Sequence, residues 1–385
     1  MKTFMFPGQG SQKKGMGADL FDRFPEYTAK ADEILGYSIK ELCLEDPREE
    51  LGLTQFTQPA LYVVNALSYY QAIAEGNKPD YLMGHSLGEF NALLAAECFT
   101  FESGLKLVKK RGELMGKVSG GGMAAIVNAS KSEIEKILAD NGLDQIDLAN
   151  FNTSSQIVIS GMKDQIEQAQ QYFQEGLMQF HMLKTSGAFH SRHMAPSQKT
   201  FANYLRKFKI AGPKVPVVAN VTGQLYTQEN VLDNLSAQIA SSVLWTDSVN
   251  TLLDIAEKAG EEMEFVEIGH GNVLTGMWRK IKRELAKAAK DGAKAPETKA
   301  PQTAPVAQAA APANGGGKPK AFVDAEQLVQ QWNSKHPVGT QVKSSQGDYG
   351  QLETRTEAIV LFGHRAAVYM KDYNGYFDLN ELTVA

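Results

Sequence analysis

Gly84-His85-Ser86-Leu87-Gly88-Glu89, residues 84–89, is the stretch from which the rest of the chain is read. Its G-x-S-x-G spacing predicts a nucleophile elbow, a sharp strand-to-helix turn that presents one serine hydroxyl above a sheet. Two glycines are needed because a Cβ at either would collide with the neighbouring strand or helix. The flanks fit: DYLM (80–83) reads as a strand, and LGEFNALLAAECF (87–99) as a helix with a small, apolar packed face. Such a helix points its free N–H groups at the oxyanion of a Ser86 adduct. A glycine-rich turn with an incidental serine is the plain alternative, and the pentapeptide alone does not separate the two.

The chain has 385 residues, enough for a sizeable core and more than one domain. It is 43% hydrophobic and 22% charged, which places it among globular chains rather than disordered or fibrous ones. A formal net charge of -5 argues against nucleic acid as a partner. Cys43 and Cys98 are the only cysteines, too few for a disulfide framework, and no CxxC or His/Cys cluster suggests a metal. MKTFMF (1–6) runs straight into a strand-like segment, and neither a signal peptide nor a membrane span is visible. The expectation is a cytoplasmic enzyme that does not use a membrane.

After the short strand TFMF (3–6) comes PGQGSQKKGMG (7–17), a glycine-rich loop without the spacing of a P-loop. It can bring the Gln9 backbone N–H near Ser86 as a second oxyanion donor beside the N–H of Leu87. Read alone, it is a surface loop. Residues 18–78 look mainly helical, with QPALYVVNALSYYQAIAEG (58–76) an apolar-rich helix. FESGLKLVKKRGELMGKVS (101–119) is another helix, carrying Lys109, Lys110 and Arg111 in a row. Such a run is ordinarily a solvated face, so Arg111 matters only if it turns inward.

Residues 122–186 alternate β-α-β-β-α-β, the order of a ferredoxin-like unit, here inserted into a larger α/β body. SGAFHSRHM (186–194) returns the chain to that body. VPVVANVTG (215–223) and FVEIGHGNVLTGMWRKI (265–281) close it, giving a first domain over 1–285. Residues 286–320 are Ala/Pro/Lys-rich without an aromatic and read as an extended linker. Residues 321–385 hold one short helix and several short strands with Asn374-Gly375 as a hairpin turn. They read as a small β-rich module, with an SH3-like barrel as one candidate shape.

A serine hydroxyl is a weak nucleophile without a base. Of the seven histidines, His85 is expected to point off the strand end away from Ser86, and His193 to be exposed. His190, in GAFHS (187–191), lies where the insertion rejoins the body, a natural cleft.

FPGQGSQ (6–12), GHSLGE (84–89), KRGELM (110–115), GAFHS (187–191), VANVTG (218–223) and VEIGHGNVLTG (266–276) follow one another in the order and spacing of a known family. Over about residues 1–285 the chain resembles the malonyl-CoA:acyl-carrier-protein transacylases. The resemblance implies an α/β-hydrolase-like acyltransferase body with a ferredoxin-like insertion. It also implies roles for single residues. Ser86 is the acylated nucleophile, and His190 is the base and then the acid. Gln9 and Leu87 give the oxyanion N–H groups. Arg111 pairs with the malonyl carboxylate, bidentately as a lysine could not. A backbone carbonyl, that of Leu244, holds the imidazole, so no catalytic aspartate is assigned. No cofactor is implied, since malonyl-CoA and phosphopantetheine are the substrate carriers.

The chain departs from the family pattern in SSVLWTDS (241–248), which lacks the usual proline and polar residue before the tryptophan, and at His270, where proline is common. The linker and C-terminal module have no counterpart in the stand-alone fatty-acid enzyme. They point to freestanding acyltransferases that serve polyketide synthases. Malonyl transfer from coenzyme A to a holo acyl carrier protein is therefore the leading expectation. An acyl hydrolase clearing stalled carrier proteins, using the same Ser86 and His190, is the alternative, and a non-catalytic docking protein is the third. Arg111 favours transfer, because a hydrolase of uncharged chains gains nothing from a buried cation. Phe189, next to His190, is expected to crowd an α-methyl branch and so favour malonyl over methylmalonyl.

Overall fold

The computed structural model describes residues 1–290, 325–344, 351–361, 365–371, 376–379 and 382–384. The chain divides into two compact units, Met1–Pro296 and Glu297–Ala385. It is an α/β protein.

In the first unit, β1 (Lys2–Phe6) leads through the glycine-rich loop to four helices, α1 (Leu20–Arg23), α2 (Pro25–Leu35), α3 (Ile39–Leu44) and α4 (Thr54–Ala74). β2 (Tyr81–Gly84) turns sharply into α5 (Gly88–Ala95), and α6 (Phe101–Gly116) follows. An inserted segment then comprises β3 (Gly121–Val127), α7 (Lys131–Asp140), β4 (Asp147–Thr153), β5 (Gln156–Met162), α8 (Lys163–Ala169) and β6 (Gln179–Met182). The chain returns through α9 (Ala195–Leu205), α10 (Val231–Ala237), α11 (Trp245–Ala259), β7 (Glu264–Glu267) and α12 (Val273–Lys290).

The central sheet has the order β2-β1-β7 and is parallel throughout, with Val217 bridging in parallel to Leu82 beyond β2. A parallel sheet is covered on both faces, so its strands read as apolar runs. Phe4, Met5, Phe6, Leu82 and Met83 are accordingly buried. α4 begins at Thr54, four residues before the sequence reading placed it, and carries Pro59 within its second turn. α5 ends at Ala95 rather than Phe99, because Glu97 takes a left-handed φ of 60° and turns the chain. The inserted segment forms its own antiparallel sheet, ordered β4-β5-β3-β6, over a separate core of Ile126, Ile134, Ile159, Ile166 and Phe173.

α12 runs to Lys290, five residues past the boundary read at 285, since its Leu/Ala/Lys composition favours a helix over a linker. The rest of the proposed linker, 291–320, and the Asn374-Gly375 turn lie outside the described residues.

The second unit contains α13 (Ala325–Lys335), β8 (Gln341–Ser344), β9 (Leu352–Glu353), β10 (Ile359–Leu361), β11 (Arg365–Tyr369), β12 (Tyr376–Asp378) and β13 (Leu382–Val384). Two three-stranded sheets, β10-β11-β12 and β13-β8-β9, are joined by a bridge between Thr354 and Met370. Val342, Leu352, Val368 and Met370 form the core, and Leu328, Val329 and Trp332 of α13 pack against it.

Candidate active site

The elbow sits where β2 meets α5. A Cβ on Gly84 would lie 2.1 Å from the Gly88 carbonyl, and one on Gly88 only 1.9 Å from the Phe6 carbonyl oxygen. Any side chain at either position would force strand and helix apart. Between them Ser86 holds a φ of 51°, a conformation that non-glycine residues rarely adopt. Asn220, from the segment after Val217, braces that turn on both sides. Its Oδ1 accepts the Ser86 N–H at 2.7 Å, and its Nδ2 donates to the Gly84 carbonyl at 2.7 Å. Strain of this kind persists where the surroundings over-determine it.

His190 reaches Ser86 from the segment between β6 and α9. Its Nε2 lies 2.7 Å from Ser86 Oγ. Its Nδ1 lies 2.9 Å from the Gln238 carbonyl and 3.1 Å from that of Ser241. Carbonyls only accept, so Nδ1 carries the proton and Nε2 is left to accept the serine hydroxyl. Burial, with the nearby Arg111 cation acting the same way, pushes the imidazole pKa down to about 3. The ring is thus a neutral base throughout the physiological range. His190 also has a left-handed φ, 57°, so both members of the pair are conformationally strained.

The depressed imidazole links folding to acidity. The unfolded state binds a proton at His190 near pH 6.5 and the folded state only near 3, so stability falls as pH drops through that window. His190→Gln should reduce by up to about one proton the slope of unfolding free energy against pH between those values. Urea midpoints from pH 4 to 7 check this.

Arg111 turns inward. It lies on α6 with Leu107, Val108 and Met115 on the buried face and is 1% exposed. Nη1 donates to Gln58 Oε1 at 2.8 Å. Nη2 donates to Gln238 Oε1 at 2.8 Å and to Ser86 Oγ at 3.1 Å. Nε is buried without a partner. Burial lowers the guanidinium pKa to about 10, so it remains a cation. Its neighbours in the Lys-Lys-Arg run behave differently: Lys109 caps carbonyls of α2, and Lys110 lies near Glu113.

Gln9 follows Gly8 in the loop after β1, and its side-chain Nε2 donates to Thr54 Oγ1 at 3.2 Å. A Cβ on Gly8 would sit 2.3 Å from the His85 carbonyl oxygen and 3.6 Å from the Leu87 nitrogen, so the loop runs directly against the elbow. Phe189 is buried in the main core with its ring over Gly187. His85 turns from Ser86 to Asn152, 2.8 Å from its Nε2, and tilts against Trp245. His193 is half-buried rather than exposed, with Nε2 2.8 Å from the Gln145 carbonyl.

Leu244 requires a correction. Its carbonyl does not hold the imidazole. Leu244 is the N-cap of α11, and its carbonyl accepts from the N–H and the hydroxyl of Ser248. The carbonyls at His190 are those of Gln238, the first residue of the 3-10 turn Gln238–Ala240, and Ser241, its C-cap.

Sequence reasoning also missed Gln58, Asn220 as a brace, Gln238 and Glu89. Glu89 is the last residue of the elbow motif and fully buried. Its Oε1 accepts the Asn220 N–H at 2.7 Å and the Tyr226 hydroxyl at 2.9 Å, and its Oε2 accepts from Gln238 Nε2.

A strained serine on an elbow, hydrogen-bonded to a neutral histidine beside a buried cation, defines a serine acyltransferase or hydrolase site. Residues 3–314 match the acyl transferase domain family, and the chain belongs to it. It is 53% identical over 288 residues to the polyketide biosynthesis malonyl CoA-acyl carrier protein transacylase PksC of Bacillus subtilis, covering 74% of this chain and 98% of that protein. To the corresponding transacylase BaeC of Bacillus velezensis it is 50% identical, with the same coverage. The crystal structure of a malonyl CoA-acyl carrier protein transacylase from Burkholderia pseudomallei superposes with a TM-score of 0.73 at 55% identity, covering 74% of this chain and 98% of that one.

Proposed function

We propose that this chain moves a malonyl group from malonyl-CoA to the phosphopantetheine thiol of a holo acyl carrier protein through a Ser86 acyl-enzyme, in polyketide or fatty acid biosynthesis. The observation that carries the reading is the buried Arg111 guanidinium, whose Nη2 lies 3.1 Å from Ser86 Oγ. A three-carbon diacid esterified on that oxygen can fold its free carboxylate back onto the cation, giving a charge-assisted pair that an acetyl group lacks.

In the first half-reaction, Ser86 Oγ attacks the thioester carbonyl as its proton passes to His190 Nε2. The negative oxygen that forms faces the backbone N–H groups of Gln9 and Leu87. The C–S bond then breaks, and His190 returns the proton to the departing thiolate. In the second half-reaction, the carrier thiol gives its proton to His190 and attacks the Ser86 ester, and Ser86 Oγ leaves with that proton. The Gln238 and Ser241 carbonyls keep the imidazole in one tautomer through both halves. The strand order and inserted sheet support an α/β-hydrolase-like body with a ferredoxin-like subdomain. Phe189 beside the base favours malonyl over methylmalonyl.

Transfer and hydrolysis are separated by incubating the protein with labelled malonyl-CoA, with and without holo carrier protein. Label should move to the carrier, and free malonate should accumulate no faster than the blank. Free acid formed in place of carrier-bound label would instead support the hydrolase.

The 321–385 module is proposed to dock a synthase partner and is not needed for chemistry, since every catalytic side chain lies in the first unit. A chain ending at Pro296 is expected to self-acylate at the rate of the full chain, read by intact mass after rapid quench. It is expected to transfer more slowly to a cognate synthase-bound carrier, because the effective-concentration gain of a tether is lost. Loss of self-acylation would place the module in the catalytic body.

A further inference from the structure

Glu89 is a buried acid with no role in the two half-reactions. It stands, however, behind Ser86 and Arg111, which do. It fixes the Asn220 backbone, and the Asn220 side chain braces the Gly84–Ser86 turn. It accepts from Gln238 Nε2, which also donates to the Ser86 carbonyl at 2.7 Å, while Gln238 Oε1 accepts from Arg111.

These contacts determine which way the Gln238 amide faces. Arg111 is a donor only, so it must meet the amide oxygen. The Ser86 carbonyl is an acceptor only, so it must meet the amide nitrogen. The orientation is consistent only if Glu89 Oε2 also accepts, and the carboxylate is the state in which both oxygens accept from the three donors around them. An acid protonated on Oε1 would crowd the Asn220 N–H and make the Tyr226 hydroxyl turn to accept, and one protonated on Oε2, or a glutamine with its nitrogen at that position, would set donor against donor at Gln238. Flipping the Gln238 amide would relieve that clash but turn its nitrogen toward the Arg111 cation and its oxygen toward the Ser86 carbonyl.

We propose that Glu89 is a positioning residue: as a carboxylate it locks Gln238 in the one orientation that holds Ser86 and Arg111 together, and it balances the buried arginine charge through that amide. The charged and titratable groups around it are Arg111 on α6 and Tyr226 ahead of α10, with His190 and His85 beyond Arg111. Burial raises the Glu89 pKa to about 7, while its three donors and Arg111 pull the other way. Tyr226, fully buried, stays a neutral donor because its own pKa is raised well above the usual phenol value. His190 loses its proton far lower, so an acid limb near neutrality belongs to Glu89.

The proposal rests on the acyl-transfer reading for the reaction it serves, so the test uses a probe indifferent to the acyl group. An alkyl fluorophosphonate phosphonylates an activated serine by displacing fluoride, whatever the natural substrate. Ser86 labelling by the intact full-length protein, followed by mass, is expected to fall as pH drops through about 7. Glu89→Gln is expected to label about 10- to 100-fold more slowly at pH 8, as a buried network loses a partner, and to show no acid limb. Wild-type rates in Glu89→Gln, or slow labelling that keeps the limb, would overturn the proposal. Should that variant fail to fold, Tyr226→Phe decides. It removes one donor to the carboxylate and should move the limb to higher pH, and an unmoved limb is the contrary result. A wild-type protein that labels with this profile yet transfers no malonyl group would overturn the substrate reading and leave the Glu89 proposal standing.

Discussion

Ser86→Ala is expected to show no malonyl adduct by intact mass under conditions where the wild-type protein is fully acylated. Ser86 is the residue whose hydroxyl meets both the imidazole and the guanidinium, and it is held there by the Asn220 brace. The loss should be complete rather than graded, because no other group can replace the attacking oxygen. His190→Ala differs in kind. The hydroxyl remains, Arg111 still meets it, and substrate should still bind, but the proton has no acceptor. General-base help is worth roughly 10²–10⁴-fold, so turnover should fall by about that factor with little change in binding. Rapid-quench acylation rates separate the two. A malonyl adduct surviving in Ser86→Ala would move the nucleophile elsewhere, and a His190→Ala protein with unimpaired acylation would remove the base.

Much of this site could be read from the chain because the responsible features are local. The elbow needs glycine at 84 and 88 for steric reasons that depend only on a strand entering a helix, and the pattern states them within five residues. Ser86 and the strand–helix boundary follow. His190 was legible through its place at the exit of the inserted segment. The parts that could not be read are those supplied by side chains distant in sequence. Gln238 belongs to a 3-10 turn too short to leave a periodic signal. Its carbonyl displaced Leu244 as the imidazole partner, and whether a main-chain carbonyl faces a cleft or its own helix is decided by capping geometry. Arg111 shows the same limit in reverse. Its composition, three cations in a row, suggests solvent, while its phase on α6 points it inward. Glu89 stood in plain view as the last residue of the motif. Its burial depends on Tyr226 and Asn220, about 130 residues away, arriving as donors.

Arg111→Ala should convert the protein from one that demands a carboxylated acyl group into one that does not. The wild-type guanidinium is 1% exposed and holds two glutamine oxygens and the nucleophile, with Nε left over. A cation so desolvated is costly to keep unless an anion uses it. Truncating one partner of a buried charge pair costs about 2–5 kcal/mol. On that scale kcat/KM for malonyl-CoA should drop between about 30-fold and several thousand-fold. Acetyl-CoA has no carboxylate to lose, so its specificity constant should change far less. Arg111→Lys should behave like the alanine variant for malonyl, because one ammonium cannot meet Gln58, Gln238 and a carboxylate at once. The decisive quantity is the ratio of the two specificity constants, measured at equal folded fraction. If malonyl and acetyl fall together, Arg111 serves only to hold Gln238 and Ser86 in place, and the carboxylate is recognised by another group.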